Sequence, residues 1–277
     1  MVKSIVLIFV SAVLLFSCSD VKTHEIKAKT NTPFTWDFSE NRTFAYSFEQ
    51  SVFVTSSIMD DDLDHRKMEA TAEMFVEVKD KNKANVGLRN IKTKIITINE
   101  DGSKEDVDSQ SSPLIMAEGM SPKGEFEDLQ AAMLFQTLVP LPPENLKKGE
   151  TVEVPIKIPF NVGSSRIYIR GSIELKYVAD GIKRKRTCAV LESKIDVSEV
   201  EIPEEYAKSY EVYMKGTGTY YFDLENGIYV GGDVKTEFKM EIEPSNEMAE
   251  DFSSSMYMVN KSEYSFRLKK IKKFAKP

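Results

Sequence analysis

The sequence predicts a mainly β protein: long antiparallel strands forming a curved sheet or sheets, a half-barrel or a sandwich, with one or two short helices. Three observations predict it. Apolar and polar residues alternate over long stretches, most clearly from 166 to 177. There Ile167, Ile169, Gly171, Ile173, Leu175 and Tyr177 share one face, and Arg166, Tyr168, Arg170, Ser172, Glu174 and Lys176 the other. Strand side chains point alternately to opposite faces, so one face packs and one meets water. Short polar turns separate these stretches, and Asn226-Gly227 is the most specific of them, a tight-hairpin signal. Helical periodicity is scarce. Ten or so long strands would strain a flat open sheet, so curling is expected.

The first strand is expected over 42–58, where Phe44, Tyr46 and Phe48 alternate with Thr43, Ala45 and Ser47. Two more, 68–79 and 85–98, flank the polar turn Asp80-Lys81-Asn82-Lys83. A helix is expected over 126–138 from the spacing of Phe126, Leu129, Met133 and Leu134, with Glu125, Glu127 and Asp128 at its positive end. Pro140, Pro142 and Pro143 would end it. A single turn at 204–209 and a segment at 246–254 are weaker helix candidates. The strand at 166–178 pairs with 183–197 through Ala179-Asp180-Gly181, 211–224 pairs with 228–243, and 257–268 closes the domain. Short connections make sequence neighbours antiparallel neighbours. The proline-rich stretch marks a possible subdivision near 139–150, between a sheet at 34–120 and one at 150–273. A single long curved sheet is the alternative.

The N-terminus carries a different signal. Met1-Val2-Lys3 precedes an apolar run from Ile5 to Phe16, broken only by Ser11. That is the layout of a secretory signal. The run is shorter than the ~20 apolar residues a spanning helix needs. It ends in Leu15-Phe16-Ser17-Cys18, which resembles the lipobox of bacterial lipoproteins, with Phe16 bulkier than the usual residue there. The resemblance implies that Leu15 and Ser17 serve recognition, that residues 1–17 are removed as a signal peptide, and that Cys18 carries diacylglycerol with an acyl chain such as palmitate on its amino group. Two or three chains hold a protein stably at a membrane where one does not. Residues 18–33 then read as the lipidated cysteine and a flexible tether, 34–273 as the β-rich domain and 274–277 as a basic tail. The run 269–276 reads as a frayed terminus, with contact to anionic head groups as the alternative. The implied location is the cell envelope, with the outer membrane preferred, on its periplasmic face or at the cell surface. Ser19-Asp20 fits either retention at an inner membrane or export to the surface.

A second resemblance covers 138–243. Leu141-Pro142-Pro143-Glu144-Asn145-Leu146 leads into Lys147-Lys148-Gly149-Glu150-Thr151-Val152, then Lys215-Gly216-Thr217-Gly218-Thr219-Tyr220-Tyr221-Phe222-Asp223 leads to the Asn226-Gly227 hairpin. Earlier comes Gly119-Met120-Ser121-Pro122-Lys123-Gly124. Together these are similar to an uncharacterised lipoprotein family common in Bacteroidota, which often has Trp where this chain has Val152. These are turn motifs, so the resemblance implies location and β-rich shape and no reaction.

The remaining chemistry is sparse. Without Lys3, 36 basic residues face 44 acidic ones, a formal charge of −8. A nucleic-acid partner would need a basic footprint instead. With Cys18 modified, Cys188 is the one thiol left, so no intrachain disulfide forms, and its apolar setting favours burial over reactivity. The histidines, His24 in the tether and His65 in an expected turn, are too few for a three-histidine zinc site. There is no phosphate-binding glycine loop and no other cofactor motif. Asp60, Asp62 and Asp64 have the alternate spacing of part of a calcium loop, but lack its Gly and Glu, so they read as a solvated turn rather than a metal site. No catalytic residues are assigned. The expected function is a membrane-anchored, non-enzymatic module binding an apolar or amphiphilic ligand. The motivation is long alternating strands, an apolar helix with Met133 and Phe135, and 12 methionines. The alternatives are an assembly partner of another envelope protein, and a hydrolase using two facing carboxylates.

Overall fold

The computed structural model describes residues 33–58, 63–99, 101–112, 114–129, 132–142, 145–162, 165–202, 207–244 and 255–273. The signal segment, Cys18, the tether, His24, Asp60, Asp62, the helix candidate at 246–254 and the tail at 274–277 lie outside them.

Eleven strands form one antiparallel sheet that does not close. They are β1 (Arg42–Ile58), β2 (Asp64–Val78), β3 (Ala84–Ile98), β4 (Lys104–Ser112), β5 (Ile115–Met120), β6 (Thr151–Val162), β7 (Ser165–Lys183), β8 (Arg186–Glu199), β9 (Ala207–Asp223), β10 (Ile228–Pro244) and β11 (Met256–Lys273). Their order is β4-β3-β2-β1-β11-β10-β9-β8-β7-β6, with β5 also on β3. Every pairing joins sequence neighbours except two, β3 with β5 and β1 with β11. The latter brings the first and last strands together in the middle of the sheet, from Arg42↔Lys273 to Ile58↔Met256. Lys269–Lys273 therefore belong to a strand and are not a frayed end.

This order dictates what covers the sheet. β5 lies toward one edge and β6 forms the other, so the chain between them must cross the apolar face. The described residues between 121 and 150 make that crossing and carry the one described helix, α1 (Met133–Leu138). α1 touches both β6 and β10. Those strands are four spacings apart, about 19 Å in a flat sheet, so the sheet must curve around the helix. Glycines allow the bend: a Cβ on Gly171 would lie 2.1 Å from the Asp196 carbonyl oxygen. Phe135 and Leu138 of α1, with Val139, Leu141 and Leu146 beyond it, are buried in the core. Two tyrosines pin the crossing down: Tyr220 donates to the Thr137 carbonyl at 2.8 Å, and Tyr229 to that of Pro140.

A second covering segment precedes β1. Phe34, Trp36 and Phe38 are buried. Phe34 meets Tyr177 edge-on and Phe222 at a tilt, and Trp36 packs at a tilt against Phe44 and Tyr229. The Trp36 amide donates to the Pro122 carbonyl and the Asp37 amide to that of Gly227, both at 2.8 Å. Gly227 has φ +58°, and a Cβ there would meet the Thr35 oxygen at 2.7 Å. The hairpin glycine thus serves both the turn and the approach of this segment.

Several expectations are corrected. The helix is six residues long, not thirteen. Ser121 and Glu125 close a turn (Ser121 amide to Glu125 oxygen, 2.8 Å) with Gly124 at φ +78°, so the chain around Phe126 is not helical and no acidic residue lies in the first turn of α1. Residues 207–209, expected to be helical, open β9. Ala179-Asp180-Gly181 continues β7 past an irregularity after Tyr177, and the reversal falls at Arg184-Lys185, φ 52° and 64°. These are the positive angles of a tight hairpin, adopted by two non-glycine residues. In the 224–227 turn only Gly227 has positive φ.

Candidate functional site

The core face can be followed along each strand by alternation and register. On β1 it reads Phe44, Tyr46, Phe48, Gln50, Val52, Val54 and Ser56. On β11 it reads Phe266, Tyr264, Ser262, Asn260, Met258 and Met256, opposite Phe48, Gln50, Val52, Val54, Ser56 and Ile58. On β10 it continues through Thr236, Phe238, Met240 and Ile242, and on β9 through Gly216, Met214, Val212 and Tyr210. On β2 Met68 lies opposite both Val52 and Ile95.

The two covering segments fill the end of this face where β1 begins. Over β6–β9 the buried core reaches further along the face, through Ile158, Ile169, Ile195, Val197, Val212 and Met214, with Ile167 half-buried and Tyr210 40% exposed beyond them. Over β3, β2, β1, β11 and β10 burial is less complete. Around and beyond Val52, the side chains of Val54, Met68, Ile95, Phe238, Met240, Met256 and Met258 are only half-buried, with Phe238 and Met240 packed against the edge of the core and Ile242, beyond Met240, buried. Five strands at about 4.8 Å spacing make this open area about 19 Å wide. Methionine is unbranched and polarizable, and adapts to ligands of varied shape.

The expected site residues fall elsewhere. Phe135 is fully buried in the core and does not line the open area, and Met133 is 46% exposed on α1. Its methionines come from β2, β10 and β11. The signal was legible in Met256-Tyr257-Met258-Val259, but an apolar run does not say which of its faces is left uncovered. Asp64 opens β2 and pairs with Arg66 at 2.6 Å. His65 lies in β2, not in a turn. Its Nδ1 shares a 3.1 Å hydrogen bond with the Thr55 hydroxyl, and its ring stacks on Phe53. No group of three or more His, Cys, Asp or Glu among the described residues is placed to hold a metal.

Cys188 is buried on the opposite side of the sheet, with Val190, Tyr221 and Val230. Burial, then the Asp223 carboxylate, pushes its thiol up to about 12, so the nucleophilic thiolate is suppressed. The outward face otherwise carries charges of both signs. A depression of about 910 Å³ along β6–β8 is lined by Glu153, Lys157, Arg170, Glu174, Lys194 and Asp196. Leu129 and Gln136 of the crossing chain line it too, so it is bounded by the outward face and by the chain that covers the inner one. No described helix is long and apolar enough to cross a membrane.

Two further polar clusters fasten turns. The Tyr177 hydroxyl donates to buried Asp180, which Lys148 approaches at 3.4 Å. Arg186 pairs with buried Asp223 at 2.8 Å, and Asp223 also accepts from the Asn226 amide at 3.0 Å. Each of these two acids is engaged by its own hairpin or by the crossing chain.

No family model matches the chain, and no curated protein matches it. Solved structures do. A structure described as lipid–protein interactions in lipovitellin matches with TM-score 0.51 and 10% identity, over 87% of this chain and 26% of that one. A DUF1329 family protein from Desulfovibrio piger matches with TM-score 0.17 and 6% identity, over 80% of this chain and 85% of that one. The second value is too low to carry an argument. This chain spans about a quarter of the lipovitellin chain, and what the two share is the fold.

Proposed function

We propose that this protein is a non-enzymatic binding module for an apolar or amphiphilic ligand, held at the cell envelope by lipid on Cys18. One observation carries the reading: the core face of the sheet continues, apolar and methionine-rich, past the segments that cover it. A soluble domain gains about 25 cal/mol for each Å² of apolar surface it removes from water. Leaving Val54, Met68, Ile95, Phe238, Met240, Met256 and Met258 half-buried forgoes that gain unless something else covers them. A curved open sheet suits an acyl chain lying across its strands. The fold likeness to a protein described by its lipid interactions agrees with this reading. The lipobox-like Leu15-Phe16-Ser17-Cys18 supports the anchor, and the outer membrane is the proposed location.

The test is binding of diphenylhexatriene, a hydrocarbon probe that fluoresces in apolar surroundings. The parent protein is expected to bind it, and a Met240→Glu/Met258→Glu variant to lose at least tenfold in affinity while remaining folded. Equal binding by a folded variant would reject the site.

A second reading, a protein partner in the envelope, is favoured by the outer face of the same strand ends. Phe53 is 39% exposed, Leu63 51%, and Ile96 and Ile98 are half-buried. The two readings use opposite faces, so Phe53→Lys separates them: it leaves probe binding intact and removes a partner seated there.

A further inference from the structure

We infer that the ligand is an uncharged amphiphile whose hydroxyl or amide group is recognised by Asn260, within a polar strip that crosses the apolar face. This rests on the proposed binding reading and narrows it.

The strip is visible along β11. Its inward positions run from Phe266 in the aromatic core, through Tyr264, Ser262 and Asn260, to Met258 and Met256 at the open end. Thr236 lies beside Ser262 on β10. Three successive hydrogen-bonding side chains thus divide the filled part of the face from the methionine-lined part.

Asn260 is the one with an unmet demand. Its cross-strand neighbours are Val54 and Phe238. Its Nδ2 meets the Met258 Sδ at 3.6 Å, and a thioether is a weak acceptor. Its Oδ1 is buried with no hydrogen-bond partner among the described residues. Whichever way the amide is turned, one of its ends has no proper partner. A buried polar group without a partner is destabilising, and an apolar residue of the same shape would avoid that penalty. A face built only to be covered would place Leu here. An amide at this point gives a ligand's hydroxyl or amide both a donor and an acceptor, with the flexible Met258 side chain as the group displaced.

Charge decides the class of headgroup. Among the described residues, the charged groups on this face at the open end are Arg66 and Asp64, paired with each other at 2.6 Å, and Glu105, exposed on edge strand β4 opposite Thr97; the strip itself holds no ionisable group other than the Tyr264 phenol. A charged headgroup there would be desolvated without a counter-charge, which is strongly unfavourable. An uncharged head meets no such penalty, and its chain then lies over Met258, Met240 and Met68.

The experiment compares two probes on Asn260→Leu. Diphenylhexatriene has no hydrogen-bonding group. Monooleoylglycerol has hydroxyls, and is measured by displacement of the first probe. N260L is expected to bind diphenylhexatriene within twofold of the parent and monooleoylglycerol about tenfold more weakly, the loss of one or two hydrogen bonds. Asn260→Ser, which keeps a hydroxyl, is expected to recover part of that loss. If N260L does not fold, Asn260→Ala carries the same comparison. An unchanged affinity for monooleoylglycerol, or an equal loss for both probes, overturns the inference. So does a parent protein that binds diphenylhexatriene and not monooleoylglycerol, and that result leaves the broader reading intact. A parent that binds neither overturns both.

Discussion

Asp37 shows how one side chain holds a covering segment in place. Burial alone would raise its carboxyl, but hydrogen bonds from Ser39 and the Arg42 guanidinium outweigh that and hold it below the ordinary value of 3.8. Arg42 also donates to the Asp37 carbonyl at 2.9 Å and lies over the Phe44 ring. A depressed folded value means that Asp37 stabilises the fold above the unfolded carboxyl's range. The contribution is lost as pH falls through the folded value. Trp36 is the single tryptophan of the chain and neighbours Asp37, so its fluorescence reports on this segment. The parent is expected to be more stable than Asp37→Asn at pH 7, with the difference shrinking toward zero below pH 3.8. A constant difference across that range would mean that the carboxylate is not what holds the segment.

At the scale of elements, the sequence was most legible where one face is buried. Phe44, Tyr46 and Phe48 alternate with small polar residues, and β1 runs as expected over Arg42–Ile58. β4 was not anticipated: Lys104-Glu105-Asp106-Val107-Asp108-Ser109-Gln110-Ser111-Ser112 is a polar edge strand whose pattern resembles a loop. Charge on an edge discourages pairing with other sheets, and it also erases the alternation. The other edge is blunted differently, by Pro155 and Pro159 in β6. The reversal after β7 was misplaced because Ala-Asp-Gly is stronger turn chemistry than Arg-Lys. There Asp180 is drawn into the buried contact with Tyr177 instead.

The crossing chain tests the division of the face into a filled and an open part. Phe135 on α1 is wholly buried, and truncation of a buried Phe typically removes about 3–5 kcal/mol. Phe135→Ala is expected to lower stability by that amount in chemical denaturation and to leave diphenylhexatriene affinity within twofold, since Phe135 does not line the open area. A large change in affinity without a change in stability would place the ligand under α1 instead.

On the scale of the whole molecule, one topological fact organises the rest. The first and last strands pair at the centre, so the chain must cross from one edge of the sheet to the other. That crossing, with the segment before β1, fills part of the concave face. The chain contributes no further described segment that fills the remainder. Alternation gave the strands and the curvature, but not the place where cover ends, because that depends on how far residues 121–150 reach once folded. The fold likeness to lipovitellin concerns this same large sheet.

The central claim is that the uncovered part of the face carries a ligand. The most direct measurement is native mass spectrometry of the full-length protein, released gently from its own membranes, beside the Met240→Glu/Met258→Glu variant. The parent is expected to carry the added mass of one non-covalently bound amphiphile, absent from the variant. A folded parent with no added mass, or the same added mass on both proteins, would contradict the claim.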